Sequence, residues 1–102
     1  MGRKAKDWNN AAAWLGAIGE PTRLTILITL TTADKSTSEL ARFLRDEMET
    51  IMFHVGILRK VGLVTWDKDG RPWRCRLRGA TVIGNELILT HESGIRVFLP
   101  LA

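Results

Sequence analysis

One cysteine and no tyrosine stand among the 102 residues. A lone Cys75 excludes an internal disulfide framework and any cysteine-rich zinc site, and leaves a buried thiol in a reducing compartment as the expectation. No apolar run approaches the ~18–20 residues that a membrane span needs. The basic opening Met1-Gly2-Arg3-Lys4-Ala5-Lys6 is followed by neither the apolar stretch nor the cleavage site of a secretory signal, so it reads as a frayed basic tail. A cytoplasmic protein with no membrane partner is expected. Also missing are a glycine-rich phosphate loop, a nucleophile elbow, a Cys-x-x-Cys pair and paired histidines. His54 has no partner at useful spacing for metal or proton chemistry, and His91, at a strand end, reads as a turn-side polar residue. No enzyme is expected, and no metal or other cofactor.

What is present is positive charge, unevenly placed. The chain carries a net +4 with a pI near 9.8, which favours an anionic partner. Between Arg59 and Arg78 stand seven basic residues (Arg59, Lys60, Lys68, Arg71, Arg74, Arg76, Arg78) against two acidic ones, Asp67 and Asp69. That stretch alone is +5, so the remainder is close to neutral.

Residues 46–61 have the pattern of a helix that ends at a glycine and passes directly into a strand. Asp46 is placed as an N-cap, and Glu49 three residues on completes a capping-box pattern. Gly62 stands where a glycine ends a helix, after Arg59 and Lys60 in a last turn that favours cations. Met48, Ile51, Met52, Val55 and Leu58 recur at helical spacing as the side expected to be buried. The opposite side carries Glu49, Thr50, Phe53, Ile57 and Lys60, with His54 on its flank.

Three further helices precede it. Trp8, Ala11, Ala12, Leu15 and Ile18 form one stripe, closed by Gly19. Trp14 lies off that stripe, which a dimer interface or packing under the C-terminal segment would each explain. Pro21 at a first helical position opens the next helix, with Leu24, Leu27, Ile28 and Thr31 inside. Its β-branched run would permit a strand on propensity alone, but the proline and the 3–4 spacing favour helix. After a polar break at Ala33-Asp34-Lys35, Ser36 and Glu39 make a capping box for a short helix with Leu40, Phe43 and Leu44 inside. A short helix, a tight turn at Arg45-Asp46 and a second helix with an exposed mixed face are a helix-turn-helix pattern.

Beyond Gly62 the period changes to two. Residues 63–66 read as a strand, and 67–71 as a turn. Pro72 opens the returning strand, which its missing N–H places at an edge. Trp73, Cys75 and Leu77 then alternate with Arg74, Arg76 and Arg78, so one face packs and the other presents three guanidinium groups. Residues 79–85 read as loop or weak strand. Residues 86–91 and 95–99 flank Glu92-Ser93-Gly94 as a second hairpin. The expected fold is α+β: three to four helices, a β-hairpin wing and a C-terminal β-hairpin. Residues 1–78 would form a DNA-binding core with its basic tail, and 79–102 an extension of the same domain.

The segments "AIGEPTRLTIL", "STSELARFL", "HVGILRKVGLV" and "DKDGRPWRCRL", in that order over Ala11 to Arg78, resemble the ArsR-type winged helix-turn-helix transcription regulators. The resemblance implies a homodimer on double-stranded DNA, residues 46–61 as recognition helix in the major groove and residues 63–78 as wing. His54 and the Leu58-Arg59 pair match positions of the family's pattern. Arg45, Glu47, Met48 and Glu49 stand where the family usually has a turn glycine and then small polar residues. Phe53 replaces a commonly polar groove-facing residue and is suited to a thymine methyl or to a protein surface. The candidate DNA contacts are Thr50, Phe53, His54 and Lys60 on the helix, with Lys68, Arg71, Arg74, Arg76 and Arg78 on the wing. The competing reading is a winged-helix protein-interaction module that has lost DNA reading.

Overall fold

The computed structural model describes residues 8–67 and 74–102. Four helices come first: α1 (Trp8–Ile18), α2 (Pro21–Thr29), α3 (Thr37–Leu44) and α4 (Met48–Lys60). A two-residue strand, β1 (Lys35–Ser36), stands between α2 and α3. After α4 come β2 (Val64–Asp67), β3 (Arg74–Leu77), β4 (Ala80–Ile83), β5 (Glu86–Thr90) and β6 (Arg96–Pro100).

The strands make two antiparallel three-stranded sheets, ordered β1-β3-β2 and β4-β5-β6. In the first, Trp66 pairs with Cys75 and Val64 with Leu77, while Lys35 and Ser36 pair with Cys75 and Arg74 from the other side. The strand β1 corrects the reading of Ala33-Asp34-Lys35 as only a polar break. Residues 80–83, read as loop or weak strand, form β4, which turns into β5 at Gly84-Asn85. Gly84 adopts φ 58, left-handed geometry that an L side chain resists.

Among the described residues one core joins the helices and both sheets. Trp14, Ile18, Ile26, Leu27, Leu40, Ile51, Val55, Leu58, Leu63 and Cys75 are buried together with Leu87 and Leu89 of β5. The C-terminal sheet therefore seals the same core as the helices. Burial of aliphatic side chains contributes about 1.5–3 kcal/mol each, so deleting the last sheet would remove two core anchors.

Several helix faces differ from expectation. In α1 the buried residues are Ala11, Trp14, Ala17 and Ile18. Trp14 is the anchor, while Trp8 at 57% and Leu15 at 41% exposure face out. Trp14 fits the inner position because His91 stands beside it, ring centroids 5.2 Å apart. In α3 the buried pair is Leu40 and Ala41, and Phe43 is outside at 65% exposure, its ring 5.8 Å from the Lys35 ammonium.

Both helices of the helix-turn-helix end in a 6→1 and 5→2 hydrogen-bond pair. For α4 these are Leu63 N–H to Leu58 C=O and Gly62 N–H to Arg59 C=O, both 3.0 Å, with Gly62 at φ 81. For α3 they are Asp46 N–H to Ala41 C=O at 3.0 Å and Arg45 N–H to Arg42 C=O at 3.3 Å. Here the left-handed position, φ 56, is held by Arg45, the only non-glycine residue with positive φ among those described. Left-handed backbone costs a residue with a Cβ roughly 1–2 kcal/mol. Arg45→Gly is therefore expected to stabilise the fold by about 0.5–1 kcal/mol after glycine's greater unfolded entropy is subtracted. Thermal denaturation checks this, and an unchanged or lower midpoint would contradict it.

That turn also explains a boundary. Asp46 is committed to closing α3, its N–H on Ala41 and its Oδ1 accepting the Glu47 N–H at 2.8 Å. The N-cap of α4 is Glu47, with no side-chain capping bond, and the helix covers Met48–Lys60 rather than 46–61.

Candidate nucleic-acid interface

Helix α4 packs on α1, α2 and α3 and leads through Gly62 into β2 of the wing. Its buried side is Ile51, His54, Val55 and Leu58. Met48 and Met52, expected inside, are 40% and 50% exposed. A polar histidine takes the inner place because it meets a specific partner. The Arg23 Nη1 donates to His54 Nδ1 at 2.9 Å, and the Arg23 Nε donates to the Ala17 carbonyl at 2.6 Å. Glu20 Oε1 accepts the Arg23 backbone N–H at 2.8 Å and stands 3.8 Å from His54 Nδ1. Arginine has only donors, so His54 Nδ1 acts as the acceptor.

His54 is thereby corrected from a groove-facing position to an inward one, at 9% exposure. It ties the middle of α4 to the start of α2 and the end of α1. What His54 presents outward is indirect: its ring meets Phe53 edge-on, centroids 5.2 Å apart and planes at 70°. Phe53 itself is 62% exposed, beside half-buried Thr50.

The wing differs from expectation in how its arginines are occupied. Alternation holds within β3, where Cys75 is buried and Arg76 exposed. Yet Arg74 Nη2 donates to the Asp34 carbonyl at 2.6 Å and lies 3.3 Å from Glu39 Oε1. Arg76 Nε bonds Asp34 Oδ2 at 3.0 Å. The cause is β1, which joins β3 and carries Asp34 and the α3 capping box alongside it. In that box Glu39 Oε1 accepts the Ser36 N–H at 2.8 Å and Ser36 Oγ accepts the Glu39 N–H at 3.1 Å. The Ser36 N–H holds the Glu39 carboxyl below its usual range against the opposing effect of desolvation, and nearby Arg74 adds a smaller lowering. The expected row of three free guanidinium groups is thus corrected: two face acids, and Arg78 is exposed just beyond the strand.

Lys68 and Arg71, the turn's two cations, fall outside the described residues. Arg59 stacks its guanidinium 4.2 Å above the Trp66 ring, fastening the last turn of α4 to β2. Lys60 and Arg78 line one groove of about 880 Å³ with Arg59, Trp14, Ile57 and His91. Neither side chain has a hydrogen bond or ion pair among the described residues. His91, read as a turn-side polar residue, is buried: Asn10 Oδ1 is 2.7 Å from its Nε2, and Ser93 Oγ 2.8 Å from its Nδ1. It fastens the C-terminal sheet to α1. Cys75 is fully buried beneath the wing, and burial pushes its thiol up from the usual range, which makes a nucleophilic thiolate unfavourable.

A helix-turn-helix pair, α3 and α4, followed by the antiparallel strands β2 and β3, defines a winged helix-turn-helix. A helix-turn-helix domain family matches residues 18–65. Among solved structures, the chain is similar to an ArsR-like transcriptional regulator from Rhodococcus sp. RHA1. That match has 36% identity and a TM-score of 0.65, and covers 71% of this chain and 68% of that one. It is also similar to HlyU from Vibrio cholerae N16961, at 28% identity and TM-score 0.65, over 74% of this chain and 82% of that one. The transcriptional repressor BigR from Xylella fastidiosa matches at 27% identity and TM-score 0.63, over 72% of each chain. No curated protein sequence matches. The chain belongs to the ArsR-type winged helix-turn-helix transcription regulators.

Proposed function

We propose that this regulator binds specific double-stranded DNA with α4 in the major groove and the β2–β3 wing on the backbone. The observation that carries the reading is the groove at the junction of the two, where three cations, Arg59, Lys60 and Arg78, stand against one acid, Glu92. Lys60 and Arg78 would meet phosphates at the end of α4. Thr50 and Phe53 would face base edges. Arg74 and Arg76 would reach phosphate by exchanging Asp34 and Glu39 for it, a smaller net gain because exposed ion pairs are worth little either way. Lys68 and Arg71 complete the sequence-based set.

Fluorescence anisotropy on a random-sequence duplex across a salt series tests the reading. Micromolar binding with a steep negative log–log slope is expected, since each neutralised phosphate contributes about −0.9. Absence of binding at low salt would reject it and favour a protein partner. That second reading has its own support in the exposed Phe43, Met48, Met52 and Phe53 beside Asp46, Glu47 and Glu49.

The protein would act as a homodimer in the cytoplasm; among the described residues no helix is long and apolar enough to cross a membrane. The outward stripe of α1, Trp8 and Leu15, and the outer face of the C-terminal sheet, Ile83 and Phe98, are the apolar surfaces available for that contact. Leu15→Glu with Phe98→Glu should give a folded monomer by light scattering. A dimer unchanged by both would place the interface elsewhere.

A further inference from the structure

We propose that α4 reads thymine through its 5-methyl group, with Phe53 as the principal contact and Met52 beside it. The proposal rests on the DNA-binding reading above and specifies what that helix recognises. Opposite the buried side of α4, the helical period places Glu49, Phe53, Gly56 and Lys60 in one row, with Met52 on its flank. On that face only Lys60 is of a type that pairs with guanine or adenine, which takes arginine, lysine, asparagine or glutamine. Lys60 stands a full turn past Gly56, at the helix end. The discriminating surface is therefore apolar: Phe53 at 62% and Met52 at 50% exposure.

Major-groove base edges carry donors, acceptors and a single apolar feature, the thymine methyl. An exposed aromatic ring on this helix has one complement there. Three further observations fit this. The Phe53 ring makes an edge contact with His54, which Arg23 holds in turn, and that contact reduces the freedom lost on binding. A Cβ added at Gly56 would meet nothing within 4 Å; the glycine leaves open space that lets the helix backbone approach the groove floor. Glu49, one turn before Phe53, repels phosphate and accepts from cytosine N4, which keeps this end of the helix over bases and off the backbone.

The test uses the full chain and duplexes selected from a random pool. Each thymine in a selected site is replaced singly by deoxyuridine, which removes only the methyl. At one or two positions in each half-site, wild-type affinity should fall about fourfold, the equivalent of ~0.8 kcal/mol for one buried methyl. Phe53→Ala should bind both duplexes equally at one of those positions, and its unchanged melting temperature would show the fold intact. Binding that persists with no position sensitive to deoxyuridine overturns the proposal and leaves the DNA-binding reading standing. Sensitivity that survives in Phe53→Ala and in Met52→Ala assigns the effect to DNA shape and also overturns it. Failure of any duplex to bind at low salt overturns both readings, and a protein partner for the Phe53 face follows.

Discussion

Lys60→Glu together with Arg78→Glu is expected to lower duplex affinity by at least about 100-fold while leaving the fold intact. Each exchange removes a cation that has no described partner and places a carboxylate against phosphate. Charge-assisted hydrogen bonds contribute about 1.5–3 kcal/mol apiece, and repulsion adds to the loss. Both side chains are exposed, and substitutions at such positions usually change stability by no more than about 0.5 kcal/mol. The double change to alanine should make the salt slope shallower by about 2 per protomer, one for each phosphate contact removed. Arg74→Ala and Arg76→Ala should weaken binding much less, because those guanidinium groups already face Asp34 and Glu39. Anisotropy titrations at two salt concentrations separate these outcomes. Equal losses at all four positions would mean that the wing sheds its acidic partners on DNA, and no loss at Lys60 and Arg78 would remove the junction from the interface.

That contrast between arginines marks where the sequence stops being informative. The alternation that exposes Arg74 and Arg76 is a local property of one strand, legible from residues 73–78. What they pair with depends on Asp34 and Glu39, some forty positions earlier, brought alongside by a two-residue strand with no pattern of its own. Local chemistry was readable: Pro21 at a helix start, the Ser36–Glu39 box, and Gly62 ending α4 all act within five residues. Helix faces were less so. Counting apolar residues put Met48 and Met52 inside and His54 on the flank, because apolar counting does not register a histidine that a buried-side arginine holds. In α1, a stripe through Trp8, Leu15 and Ile18 and one through Ala11, Trp14 and Ile18 both satisfy helical spacing. Contact with His91, on the far side of the chain, selects the second. The candidate site divides the same way. The helix α4 and the strands β2 and β3 form where their motifs indicate, but the inward turn of His54 and how strongly each described cation is already engaged are tertiary properties.

Arg23→Ala should be the most damaging single change outside the apolar core, costing about 2–3 kcal/mol and lowering the melting temperature by roughly 10–20 °C for a domain of this size. One guanidinium satisfies the Ala17 carbonyl at the end of α1 and His54 Nδ1 in the middle of α4. Removing it leaves two acceptors short of a donor where α1, α2 and α4 meet, and unsatisfied groups in such a place cost about 1–3 kcal/mol each, less what entering water restores. Arg23→Lys should recover only a small part, since a single ammonium cannot reproduce two donors held in a fixed planar fork. Because Arg23 fixes His54, and His54 supports the Phe53 ring, affinity should also fall at temperatures where the variant remains folded. Circular dichroism melts beside anisotropy at 10 °C measure both. A variant within 0.5 kcal/mol of wild type would show that water replaces the guanidinium without cost, and a full melting loss with unchanged affinity for the folded fraction would confine Arg23 to stability alone.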